Sequence, residues 1–296
     1  MTRLAPLAAA LALLSANAVA QSGPGSTWPS LRLSIALSGS PVDSRLAEAS
    51  GAALSAANPG VIWTIGDSGN PPDLLAIDSS GALLARAALV GVTNTDWEAV
   101  SVGPCGGQTC VYIADTGDNA ERRREVSIHR FPEPRLGGDS RLTIRNPETL
   151  HFSYAGGRHD VEAMGVLPDG TVLLVTKGRS GGILAYQLPP GTWRRGSSPV
   201  ATRVDSLPIP ADLSTGRVVT DLAIDPTGHK VAIRTYRDVY LTQRNPDGTL
   251  TPVGHCDILG REPQGEGITF LADGRLLLVS EKGLFKRGTV HVATCG

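Results

Sequence analysis

The chain has 296 residues and is close to electroneutral, with 27 Lys and Arg against 28 Asp and Glu, and only 4% of it is aromatic. That balance argues against nucleic acid or an anionic membrane as the main partner, because both reward a basic face. The length allows a large core, and length priors alone would permit two domains, although closed all-β rings commonly exceed them as one unit.

The first twenty residues have the layout of a secretory leader: Arg3, a Leu- and Ala-rich run from Leu4 to Leu14, and Ala18-Val19-Ala20 as a cleavage site. The apolar run is too short to span a bilayer, and no later run is long enough either. Cleavage after Ala20 removes Arg3 and leaves a formal charge of −2. A product in the periplasm or outside the cell, without a membrane span and monomeric, is expected over residues 21–296 as one domain. The four cysteines suit an oxidising compartment. Three pairings are possible. Cys105 and Cys110 bracket a Gly-Gly turn, which favours that pair and leaves Cys256 with Cys295; a zinc site is the rival, but no His stands at ligand spacing.

Helical periodicity is absent. Short β-rich runs recur instead, each after a turn: Val61–Ile65, Val111–Ala114, Thr171–Thr176, Val231–Ile233 and Arg275–Ser280. Just upstream of each lies a second repeated element, Glu48-Ala-Ser50, Asp96-Trp-Glu98, Asp160-Val-Glu162, Val219-Thr-Asp221 and Gln264-Gly-Glu266. The intervals leave room for four strands per repeat, which predicts an all-β propeller of five four-stranded blades. The blades fall near Gly51–Val92, Glu98–Tyr154, Glu162–Val204, Asp221–Cys256 and Glu266–Thr294. The last supplies only three strands, and Leu31–Leu37 is a strand without a blade; adding it to the last blade closes the ring and hides an edge. A six-bladed ring would need the Pro189–Arg217 linker to conceal a repeat, and a β-sandwich is the alternative architecture.

The repeated element places Glu98, Glu162, Asp221 and Glu266 around one axis, with Ser50 completing the circle. Converging carboxylates repel and raise one another's pKa unless a cation intervenes, and Ca²⁺ is the hard, oxygen-seeking ion that fits. The ends of the second strands add Asp67, Asn70, Asp115, Asp118, Asn119, Lys177, Arg234, Tyr236 and Glu281 as candidates for holding a polar ligand. Each has a plainer reading. Asp67 with Asn70, and Asp118 with Asn119, are ordinary turn residues, and the ring acids could cap amides of a neighbouring blade. Trp97 is expected to pack between blades. Catalytic signals are thin: there is no G-x-S-x-G elbow, and only His159, beside Asp160, adjoins the acids as a candidate base.

NPGVIWTIGDSGNPPDLLAID (58–78), DWEAV (96–100), IADTGDNAERR (113–123), HRFPEP (129–134), DVEAM (160–164) and PQGEGITF (263–270) resemble a widespread family of exported bacterial β-propeller proteins. More distantly, the architecture is similar to calcium-dependent propeller hydrolases of the gluconolactonase and paraoxonase group and to phytase-like propellers. That resemblance implies a channel metal able to polarise a lactone or phosphate oxygen. Their ligand sets do not transfer residue by residue. Two functions are therefore expected: a propeller binding a polar small molecule or a protein at an acidic, Ca²⁺-bound face, or a metal-dependent hydrolase of a lactone, ester or phosphoester.

Overall fold

The computed structural model describes residues 28–41, 43–194, 196–283 and 287–296, so the expected leader lies outside the described residues. Among these residues there is no α-helix, only strands and three short 3-10 turns. After β1 (Leu33–Gly39) the chain forms a first antiparallel unit from β2 (Ala49–Leu54), β3 (Ile62–Gly66), β4 (Asp73–Ile77) and β5 (Leu83–Val90). The second unit is β6 (Trp97–Cys105), β7 (Gln108–Asp115), β8 (Val126–Pro132) and, after the detour β9 (Arg141–Arg145), β10 (Glu148–Tyr154). The third unit comprises β11 (Val161–Val166), β12 (Val172–Thr176), β13 (Ile183–Leu188) and β14 (Val200–Leu207). The fourth is β15 (Val219–Ile224), β16 (Lys230–Thr235), β17 (Asp238–Arg244) and β18 (Leu250–Asp257). Last come β19 (Gln264–Phe270), β20 (Leu276–Glu281) and β21 (Val290–Cys295), with β1 paired on the outer side of β21.

The innermost strands β2, β6, β11, β15 and β19 touch in a closed cycle, each against the next and β19 back against β2. β2, β11 and β15 are almost wholly buried, as near-continuous small and β-branched runs demand of strands covered on both sides. The Pro189–Arg217 linker donates β14 to the third unit and, among the described residues, forms no extra four-stranded unit. One departure from the expected layout is β9, which leaves the second unit and runs parallel to β5 of the first, seating Leu142 and Ile144 against that unit's core. Another is the short parallel pairing of β10 with β14, which joins the second and third units into one eight-stranded sheet.

The hydrophobic core is distributed between neighbouring units. Trp97 is fully buried among Trp63, Ile65 and Leu74 of the first unit and Val100, Ile113 and Phe131 of the second. The same seam carries one polar lock: the buried Glu133 carboxylate accepts from Ser55 Oγ, the Ala56 and Ala57 amides, and Trp63 Nε1.

Both cysteine pairs sit at disulfide distance, Cys105 with Cys110 and Cys256 with Cys295, each with a Cα–Cα separation of 5.8 Å. The first spans a hairpin of sequence separation 5, the second ties β18 to β21 across a separation of 39. On loop-closure entropy the second contributes about 4 kcal/mol and the first about 2. Chemical denaturation of Cys256→Ser/Cys295→Ser should therefore show roughly twice the stability loss of Cys105→Ser/Cys110→Ser; equal losses would contradict the greater contribution assigned to the long bridge between the fourth and fifth units.

Candidate functional site

Each innermost strand carries a register shift against the strand that follows it, at the start where the repeated element lies. In three units the residue left unpaired is an acid: Glu98 between Trp97 and Ala99, Glu162 between Val161 and Ala163, and Glu266 between Gly265 and Gly267. A bulge re-aims a side chain that strict alternation would send into the sheet packing. In the fourth unit the unpaired residue is Thr220, and Asp221 is paired with Arg234. Asp221 is thus one position out of phase with the three Glu, and a one-residue offset reverses the face on which a side chain stands.

The consequence is visible in its partners. Asp221 Oδ2 accepts from the Ala52 amide at 3.2 Å and the Ile268 amide at 2.8 Å, capping β2 and β19 rather than joining the acids. Burial pushes its carboxyl well up, against those amide bonds.

The same phase argument sorts the second-strand residues. Trp97, Val161, Val219 and Gly265 pair with Asp115, Thr176, Thr235 and Ser280. The residues one step further on, Lys177, Tyr236 and Glu281, therefore share a phase with one another and not with Asp115. Lys177 Nζ lies 2.8 Å from Glu162 Oε1, both side chains being buried. Burial alone would lower the Lys177 pKa, but Glu162, Tyr236 and Glu98 hold the ammonium and raise it. For Glu162, burial is the leading cause of an upward shift, with Lys177 opposing it. Glu98 is pushed well up by burial and then by Glu162 and Asp67. Glu266 follows for the same first reason, although Gln264 Nε2 donates to it at 2.9 Å. Burial and Glu266 raise the Tyr236 phenol, which stays protonated. Glu281, half-buried, is lifted to about 7 by burial and by Asp67 and Glu48.

Among the described residues, the carboxylates that approach within 4.8 Å of one another as a trio are Asp67, Asp96 and Glu98. Only Glu98 belongs to the predicted ring; Glu162 is held by Lys177, Asp221 by amides and Glu266 by Gln264. Asp96 is the functional candidate that sequence reasoning passed over, although it stands two residues before Glu98 in the repeated element. Gly117 closes over this trio, donating its amide to the Asp96 carbonyl at 3.1 Å. A Cβ there would stand 2.3 Å from Glu98 Oε1 and 2.5 Å from Asp96 Cγ, so only glycine allows the approach. Burial and the Asp67 charge raise the Asp96 carboxyl as well.

The other predicted residues are engaged elsewhere. Asn70 donates to the Asp67 carbonyl and to Glu48, a turn bond plus a rim contact. Asp115 pairs with Arg123 at 2.8 Å, and Asp118 accepts from the Arg123 amide at 2.5 Å. Asn119 accepts from Arg179. Arg234 is fully buried and donates to the Gly267 and Val279 carbonyls and to Glu262, making it a strut between the fourth and fifth units. His159, the candidate base, and the neighbouring Asp160 do not come together: their side chains diverge. Asp160 accepts from the Asp118 amide and Arg179 Nε, while His159 Nε2 meets Tyr186 Oη at 2.7 Å within a cluster that includes Tyr154.

No protein-family model and no curated protein matches the sequence. Solved structures do match. The soluble aldose sugar dehydrogenase of Escherichia coli in its apo form aligns with a TM-score of 0.51 at 14% identity, over 90% of this chain and 99% of that one. A glucose dehydrogenase aligns at 0.50 and 13% identity, over 88% and 98%. A gluconolactonase of Xanthomonas campestris aligns at 0.46 and 15% identity, over 89% and 80%. The first two fix the class: this chain is an all-β propeller. Identities this low extend the likeness to the fold alone.

The raised carboxyls make stability depend on pH in a definite direction. Glu281 moves from 4.5 to about 7 on folding, and Glu98 and Glu266 also shift upward. The folded state therefore holds protons that the unfolded chain releases, so this stabilisation is complete below about pH 4.5 and is lost as pH rises through 7. In chelator-treated protein, Tm should fall between pH 4.5 and 7.5, and Glu281→Gln should shallow the slope. A Tm that climbs across that window would refute the assignment.

Proposed function

We propose that the chain is an exported propeller, one domain over residues 21–296 with the five units as its blades, that binds a polar ligand at the acidic centre with Ca²⁺ as its cation. The observation that carries this reading is the trio Asp67, Asp96 and Glu98, three oxygen donors within 4.8 Å of one another. Oxygen-only donors suit a hard cation, and calcium accepts six to eight of them in flexible geometry. Unneutralised, the group is unfavourable, since Glu98 is buried beside Glu162 and Asp67 and its charged form is disfavoured. Bound there, the cation would offset those charges and present a Lewis-acidic face to oxygen atoms of a ligand.

The remaining groups divide the work of recognition. Lys177, kept charged by Glu162, supplies a fixed ammonium; Tyr236 supplies a neutral hydroxyl; Glu266 and Glu281 supply carboxyl groups for ligand donors. The leader-like start of the sequence and the two cysteine pairs at disulfide distance, which persist in an oxidising space, support the exported compartment of this reading.

Calorimetric titration of chelator-treated protein with CaCl₂ is the test. One site is expected, with a Tm that rises by mass action as the free ion exceeds its Kd. Glu98→Gln and Asp96→Asn should each weaken binding by roughly tenfold or more, in line with the penalty for losing a charge-assisted ligand. Absence of heat and of any Tm shift with Ca²⁺ would overturn the reading. Robust Ca²⁺-dependent turnover of a lactone or phosphoester, lost in Glu98→Gln, would replace binding by hydrolysis at this centre.

A further inference from the structure

A second constellation lies on the outer strands of the fourth unit, away from the ring of innermost strands. Residues 29–31 run alongside β18, with the Leu31 amide donating to the His255 carbonyl and the His255 amide to the Pro29 carbonyl, both at 2.8 Å. Gly254 permits this contact: a Cβ there would stand 2.8 Å from the Pro29 carbonyl oxygen and 2.6 Å from Leu31 Cγ. Upstream, Trp28 is buried against Tyr240 and its Nε1 donates to the Pro208 carbonyl at 3.0 Å. Ser30 is thereby fixed opposite His255, with its side chain exposed.

Ser30 Oγ lies 3.4 Å from His255 Nε2, and His255 Nδ1 lies 3.2 Å from Asp238 Oδ1. The imidazole is stacked on Tyr240, centroids 5.5 Å apart and planes 19° from parallel. Asp238 is 1% exposed, and its second oxygen accepts from Tyr240 Oη at 3.2 Å and Arg217 Nε at 3.3 Å. The His255 tautomer with its proton on Nδ1 donates to the Asp238 carboxylate and leaves Nε2 free to accept from the Ser30 hydroxyl. Nucleophile, base and orienting acid thus stand in the order that activates a serine, a pattern defined by geometry and role rather than by chain position. The Ser–His distance is at the long end, as it commonly is before a substrate arrives.

We propose that Ser30, His255 and Asp238 form a serine esterase site, independent of the acidic centre. In the first step the Ser30 Oγ–carbonyl carbon bond forms while His255 Nε2 takes the hydroxyl proton. Collapse of the tetrahedral adduct breaks the carbon–alkoxy bond, and the departing alcohol receives that proton. Water then attacks the acyl-serine, gives its proton to Nε2, and releases the carboxylic acid as Ser30 is reprotonated. Because Ser30 faces open solvent, the carbonyl of a carboxylic ester reaches Oγ directly, and carboxylic esters are the substrate class.

The test uses the full mature chain with p-nitrophenyl acetate and with a fluorophosphonate probe, read by mass spectrometry. The expected result is a single adduct on Ser30, hydrolysis reduced to the buffer rate in Ser30→Ala, and labelling slowed about 100-fold in His255→Gln, the usual loss for a general base. Ser30→Ala alters an exposed side chain and should keep the wild-type Tm, which separates lost chemistry from lost fold. An unlabelled Ser30, or hydrolysis unchanged by Ser30→Ala, would overturn the proposal. So would activity abolished by chelator, since that would move the chemistry to the carboxylate trio.

Discussion

The constraint on which the rest of the molecule depends is the two-residue alternation along the innermost strands and the single register shift that interrupts it near the start of each. Alternation sends one set of side chains into the seams between units. The shift releases one residue per unit from that rule, and in three units the released residue is a glutamate. Glu98 and Glu162 follow directly on the buried Trp97 and Val161, and the shift at that point leaves each of them without a partner on the second strand. Fold and acidic centre are therefore consequences of one backbone feature.

Much of this was legible in the chain. The β-rich runs, the turns before them and the recurring acidic element point to the propeller and to an N-terminal strand that completes the last unit, and β1 pairs with β21 as that reading requires. Both cysteine pairings follow from spacing and turn chemistry. What escaped is a matter of phase. The alignment of Val219-Thr-Asp221 with Asp96-Trp-Glu98 matched residue types at position three, whereas the register aligns Thr220 with Glu98. One step turned Asp221 from a presumed ligand into a cap for two neighbouring amides, and another separated Asp115 from Lys177.

Two further gaps have different causes. Asp96 was hidden by proximity, because an acid beside an acid reads as local decoration until Asp67 arrives from another unit. The Ser30 and His255 contact joins positions 225 apart through a segment that makes only an isolated bridge to β18, and no spacing rule reports it. Arg234 shows the converse: a cation at the end of a second strand suggested a pocket, yet Glu262 and two carbonyls hold it as a buried strut.

The pairing of β1 with β21 also sets an order of events in time. Ser38 and His291 touch across 253 positions of sequence, and Cys256 of the fourth unit reaches Cys295 on the same strand β21. A ring whose first strand must wait for its last cannot shut on a partial product. Long-range pairing of this kind is slow to form, so the nascent chain stays open-edged until β21 is available to β1. The molecule's closure thus waits on the synthesis of β21.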